Sequence, residues 1–213
     1  MNVRRIPLLL LLLDVVVCAI VALAGGNRPN YYFYEGRFIT WLNAAQIVAA
    51  CIVAIGIYRA RTAGNERGAG VFWILVALGS AFLAVDEIFE IHENLGMRLR
   101  EAKLPRIPVV NGWGDVVLIA YGLAALAVCL RWRREIAANR EALLYLALGG
   151  ALLVGSELID IFGIHQGRER DWWSVAEESQ KVLGFAAILG GLIIRWIDAR
   201  RDAVQAAVTG RAP

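Results

Sequence analysis

Two short stretches hold the residues of this chain that could do chemistry. Residues 86–93 read Asp-Glu-Ile-Phe-Glu-Ile-His-Glu, and residues 157–165 read Glu-Leu-Ile-Asp-Ile-Phe-Gly-Ile-His. The only two histidines, His92 and His165, sit in them. Carboxylates and imidazoles from antiparallel helices are the ligand types of a di-iron or di-manganese site. Glu87 and Glu90 share a helix face at i, i+3, as do Glu157 and Asp160. The candidate metal ligands are therefore Glu87, Glu90, His92, Glu157, Asp160 and His165, holding iron, manganese or zinc. Glu177 and Glu178 are candidate further ligands or catalytic bases, and Lys181, about one turn on, is their charge partner. The soluble di-iron pattern Glu-x-x-His is absent. His92 lies about 200° round an ideal helix from Glu90, so it joins the site only where the helix ends or unwinds. A b-type haem between His92 and His165 is a further option.

The elements that must position these residues are membrane helices. The chain has 213 residues, of which 59% are hydrophobic, and its mean hydropathy is +0.57. Soluble domains are nearer about 45–50% apolar. Six apolar runs have spanning length, at about 6–25, 38–58, 70–92, 112–130, 142–165 and 173–195. The first follows Arg4 and Arg5 and is longer than a secretory-signal core, so it reads as an uncleaved span. These runs do not alternate and exceed the length of a membrane strand, which excludes a barrel. The expected fold is an all-α, six-span bundle over residues 1–200 with a cytoplasmic tail over residues 201–213, a frayed helix.

Arginine sets the orientation. Arg59, Arg61, Arg131, Arg133, Arg134 and Arg195 fall on one side with Arg4 and Arg5, and this side outnumbers the other in basic residues. The positive-inside rule then puts both termini in the cytoplasm of a multi-pass inner-membrane protein. Trp41, Trp113, Trp172 and Trp173 mark the outer ends, and Trp73, Trp132 and Trp196 the inner ends, as an aromatic belt would. Small residues predict close helix packing among spans three, five and six: Ala77 and Ala81, then Ala147, Ala151 and Gly155, then Ala187 and Gly191. Residues 93–104 predict an amphipathic shelf stopped by Pro105.

Net charge is +3, with no dense basic run, so nucleic acid is not an expected partner. Cys18, Cys51 and Cys129 lie in apolar runs and read as small buried hydrophobes. Residues 77–83 match residues 147–153, and the same offset pairs Glu87 with Glu157 and Glu90 with Asp160. The hairpin of spans three and four thus reads as a parallel repeat of the hairpin of spans five and six.

Depth ties the charges together. Counted from the arginine collars at 1.5 Å per residue, Glu157 and Glu178 lie ~25 Å out, Asp86 ~28 Å, and Glu87 and Asp160 ~30 Å. The histidines lie ~37 Å out, at the outer mouth. Carboxylates from several helices thus share the outer third of a ~30 Å core, where they must face the bundle interior. Asp115 sits at a similar depth but follows Asn-Gly-Trp-Gly, which suits a helix cap. Asp14 is alone mid-span, and neither it nor Asp86 is assigned a role.

The leading expectation is a metal-dependent membrane oxidoreductase or hydrolase, acting on a lipid-like or isoprenoid substrate among membrane lipids. A proton- or cation-coupled carrier and an accessory subunit, bound to a protein partner or to its own copies, are the alternatives.

Overall fold

The computed structural model describes residues 5–34, 36–63, 67–103, 105, 112–162 and 168–209. These form helices, with no strand among them. They are α1 (Ile6–Ala24), α2 (Phe38–Ala63), α3 (Arg67–Phe89), α4 (Ile91–Glu101), α5 (Trp113–Arg131), α6 (Arg133–Ala137), α7 (Arg140–Phe162) and α8 (Arg168–Thr209). Six are long and apolar enough to cross a membrane: Ile6–Ala24, Phe38–Ala63, Gly70–Phe89, Trp113–Arg131, Arg140–Phe162 and Asp171–Thr209. They coincide with the six expected runs. Leu8, Leu12 and Leu13 of α1 and Leu123, Leu126 and Leu130 of α5 point away from the bundle. Such surfaces are costly in water and natural in lipid.

Helix α8 is the axis of the fold, packing along α7, α2 and α1, while α3 lies along α2. Its 42 residues make it roughly 63 Å long. It therefore continues unbroken through the stretch expected to fray, as far as Thr209. The largest core cluster joins Phe72 and Trp73 of α3 to Ile57 of α2 and Leu189 and Leu192 of α8. Trp73 is thus a core residue, 1% exposed and edge-on to Phe72, and not part of an interfacial belt. A second cluster, Ile47, Ala84 and Phe185, joins the same three helices nearer the carboxylate end.

The α7–α8 contact is a backbone-to-backbone approach. A Cβ on Gly149 would lie 2.6 Å from the Gly184 carbonyl oxygen, and one on Gly191 would lie 3.0 Å from the Ala142 carbonyl oxygen. The α7 face that packs is Ala142, Gly149 and Ser156, a seven-residue spacing suited to two nearly antiparallel helices. Ala147 and Ala151, expected on this face, are exposed instead. They lie on the other side of the helix, and residue size alone does not say which small residues face a neighbour. Ala187 and Gly191 of α8 are buried as expected. Helix α3 finds its partner in α2, and α5 is held chiefly through α4. Tyr121 also reaches across from α5 to bond the Gly79 carbonyl of α3 at 2.5 Å. The matched segments of the two hairpins therefore have different packing partners.

The chain breaks where α3 meets α4. The sequence suggested a span running to residue 92, with no glycine or proline to stop it. Glu90 instead adopts a left-handed conformation, φ 52° and ψ 43°, and redirects the chain. For a residue with a Cβ this costs about 1–2 kcal/mol. Side chains on both sides offset it. Asp86 Oδ1 accepts the His92 backbone N–H at 2.8 Å. Asn94 Nδ2 donates to the carbonyls of Phe89 at 3.1 Å and Glu90 at 2.9 Å. Gly96 of α4 then presses on Gly114 of α5, where a Cβ would come within 2.5 Å of the Gly114 nitrogen. Replacing Glu90 with glycine should leave stability unchanged or raise it by up to about 1 kcal/mol, because glycine adopts this conformation without steric cost. Glu90→Val should lower it by about 1–2 kcal/mol. Unfolding titrations of the detergent-solubilised variants check both.

The opposite, arginine-rich end is closed by a charge network. Arg195, 2% exposed, lies 3.6 Å from Glu135 of α6 and 4.0 Å from Asp198. Arg61 of α2 joins through Glu135 at 3.8 Å and Asp202 at 3.6 Å. Asn139 caps α7 by accepting the Ala142 N–H at 2.9 Å, while its amide donates to Asp198.

Candidate functional site

The break at Glu90 builds the centre of the site. It turns His92 back toward α3, where its Nδ1 lies 2.8 Å from Asp86 Oδ2. Asp86 is 3% exposed and binds both the backbone and the ring of His92. A carboxylate accepts, so Nδ1 carries the proton and a neutral ring keeps Nε2 as the free basic nitrogen. The condition for His92 to join the site, a helix that ends before it, is therefore met. Asp86, unassigned from sequence, is the residue that orients it.

Glu87, the next residue, turns toward α2, where Asn43 Nδ2 donates to its Oε1 at 2.9 Å. On α8, Lys181 Nζ lies 2.7 Å from Glu178 and 3.0 Å from Glu177. It therefore contacts both carboxylates, where the spacing let it neutralise one of them. On α7, Glu157 is half-buried and Asp160 exposed. Glu157 interacts electrostatically with Lys181, Asp160, Glu177 and His92. Asp160 does so with Glu177, Asp115, Lys181 and His92, and Glu87 with Lys181, His92 and Asp86. The carboxylates of α3, α7 and α8 thus form one electrostatic cluster around two cations or cation-formers, Lys181 and His92.

The remaining candidates fall as follows. Asp115, in the first turn of α5, reaches back so that its Oδ2 accepts the Gly112 N–H at 3.2 Å, which is the plainer of its two readings. It also reaches Asp160 electrostatically. Glu90 is the hinge residue, and its carbonyl accepts both the backbone and side-chain N–H groups of Asn94. His165 lies outside the described residues. Among the described residues, no three His, Cys, Asp or Glu side chains converge into a group that could hold a metal ion. The three cysteines are free thiols.

Two residues escaped the sequence reading. Asn43 and Gln46, both buried, are neighbours on one face of α2. Gln46 Nε2 donates to Asp14 Oδ2 at 2.8 Å. The signal was present, because two carboxamides three residues apart in an apolar span are costly unless they meet polar partners.

No curated protein and no solved structure matches the chain. The chain belongs to the family of the domain of unknown function DUF8692, whose model matches residues 4–195.

Proposed function

We propose that this protein is a multi-pass membrane enzyme with a site at its carboxylate end, in which His92 oriented by Asp86 is the general base. The observation that carries this reading is the Asp86–His92 pair at the helix break. A buried carboxylate holding Nδ1 fixes both the tautomer and the direction of the ring, which is what a proton-transferring imidazole requires. The strained Glu90 hinge maintains that geometry, and such strain clusters at functional sites. Lys181, paired with Glu177 and Glu178, places one ammonium beside the site.

The substrate in this reading is lipid-like. Glu157 and Asp160 interrupt a surface on which Leu158 and Phe162 are 48% and 67% exposed. An amphiphile lying in the bilayer would bring its head group to these carboxylates from the side. The protein would sit in the inner membrane with both termini cytoplasmic and the site outward. The parallel-repeat reading makes Glu87 and Glu157 equivalent residues of two related hairpins.

A metal-dependent form of the same site uses Asp86 as the outer carboxylate of a ligating His92. Glu87, Glu157 and Asp160 would complete the shell around iron, manganese or zinc. It requires these side chains to draw together from their described positions, so the acid–base form leads. A second reading, a cation-coupled carrier, is favoured by one observation: two separate polar pairs, Glu87 with Asn43 and Asp14 with Gln46, sit one turn apart along the same face of α2.

The test is to reconstitute the full chain with a total membrane lipid extract and follow lipid masses with time. The wild type should convert a lipid species, and His92→Ala and Asp86→Asn should slow conversion by about 100-fold or more. Conversion unaffected by either substitution would exclude the acid–base role. Elemental analysis of the same preparations separates the forms, since stoichiometric metal lost in Glu157→Ala supports the metal-dependent one.

A further inference from the structure

Asp14 is the only charged residue of α1 and lies near its middle, ~12 Å from Ile6 and ~15 Å from Ala24. It is 5% exposed. An ionised carboxylate at that depth must be neutralised or solvated by protein. Its hydrogen-bond partner is Gln46 of α2, whose Nε2 donates to it at 2.8 Å. That bond fixes the direction of the amide. The donor faces Asp14, whose Oδ2 accepts it. Gln46 Oε1 is left buried without a hydrogen-bond partner among the described residues, in a side chain of a residue only 8% exposed. One turn away on the same face, Asn43 is fully buried and has the same arrangement. Its Nδ2 donates to Glu87, and its Oδ1 is buried without a partner among the described residues.

A carboxylate and a buried unpartnered amide oxygen thus belong to one hydrogen-bonded pair between α1 and α2. A second unpartnered amide oxygen continues the row toward the carboxylate layer. Orphaned acceptors beside an anion ask for a cation, since each buried acceptor left unmade costs about 1–3 kcal/mol. The oxygen-only donor set selects a hard ion. One carboxylate neutralises one charge, and a divalent ion here would leave a net positive charge in the membrane interior.

We propose that Asp14 and Gln46 provide ligands of a binding site for a monovalent cation, Na+, reached from the carboxylate layer past Glu87 and Asn43. The site uses neither His92 nor Asp86, so it is independent of the enzymatic reading.

The experiment uses the full chain in detergent, unfolded by heat and followed by tryptophan fluorescence, in NaCl or in choline chloride of equal ionic strength. Na+ at about 100 times its Kd should raise the midpoint by roughly 5–10 °C. Asp14→Asn and Gln46→Leu should abolish that shift, and His92→Ala should retain it. Binding of 22Na+ to the wild type should reach one ion per chain, which decides the matter even where Asp14→Asn fails to fold. Equal midpoints in the two salts with no bound 22Na+ would overturn the proposal. So would a full Na+ shift surviving in Gln46→Leu.

Discussion

Asp86→Ala should destabilise the protein by about 3 kcal/mol and abolish whatever the site does. Two hydrogen bonds to one buried carboxylate are lost, the His92 backbone N–H at 2.8 Å and its ring Nδ1 at 2.8 Å. Each bond to a charged group is worth about 1.5–3 kcal/mol, and part of that returns as water or neighbours fill in. The first of these bonds also offsets the left-handed Glu90, so the α3–α4 junction should loosen with it. Asp86→Asn should lose about 1–2 kcal/mol, because the amide oxygen still accepts one N–H but the second oxygen is gone. Function should fall equally in both variants, since either leaves the ring tautomer unspecified. Stability is read from denaturant titration in detergent, and function from the lipid conversion above. Loss of stability with unchanged conversion would make Asp86 purely a structural cap.

Gly149→Ala should cost about 3 kcal/mol, while the same substitution at its neighbour Gly150 should be neutral or stabilising. A Cβ at 149 would lie 2.6 Å from the Gly184 carbonyl oxygen and 2.6 Å from Ile188 Cγ1. The first of these atoms is backbone, so the helices themselves must part. Overpacking at such a contact costs about 1–3 kcal/mol, and here the strain falls on the extensively packed α7–α8 pair. At Gly150 a Cβ meets nothing within 4 Å. Alanine there should contribute up to about 0.5–1 kcal/mol through helix propensity. Comparing unfolding of the two variants in one detergent removes any general effect of placing alanine in α7. Equal effects would mean that α7 and α8 do not touch along the Gly149 face.

The six helices long and apolar enough to cross a membrane were legible because a bilayer imposes one length and one composition on any helix that crosses it. A shared level for Glu87, Glu157, Asp160 and Glu178 was an expectation of the same kind, since rise per residue converts position into depth. Depth says nothing of azimuth. Counting therefore placed the carboxylates at one height without saying which of them Lys181, His92 or Asn43 would meet. The small-residue face shows the same gap. Ala147 and Ala151 have the right size and spacing, yet the packed face is Ala142, Gly149 and Ser156. Capping was readable at Asp115, where the preceding glycines announce a helix start.

Residues 86–93 draw the boundary most clearly. Their composition by itself determined that a charged segment closes an apolar span, and that His92 lies off the face of Glu90 unless the helix stops. Only the tertiary structure decided that it does stop, at Glu90. No local residue prefers the left-handed conformation, which is held by Asp86 and Asn94 bridging the break and by Gly96 seated on Gly114. Those bonds depend on where two helices point relative to each other. That relation is set by packing energy summed over many distant residues, and no spacing within one segment encodes it.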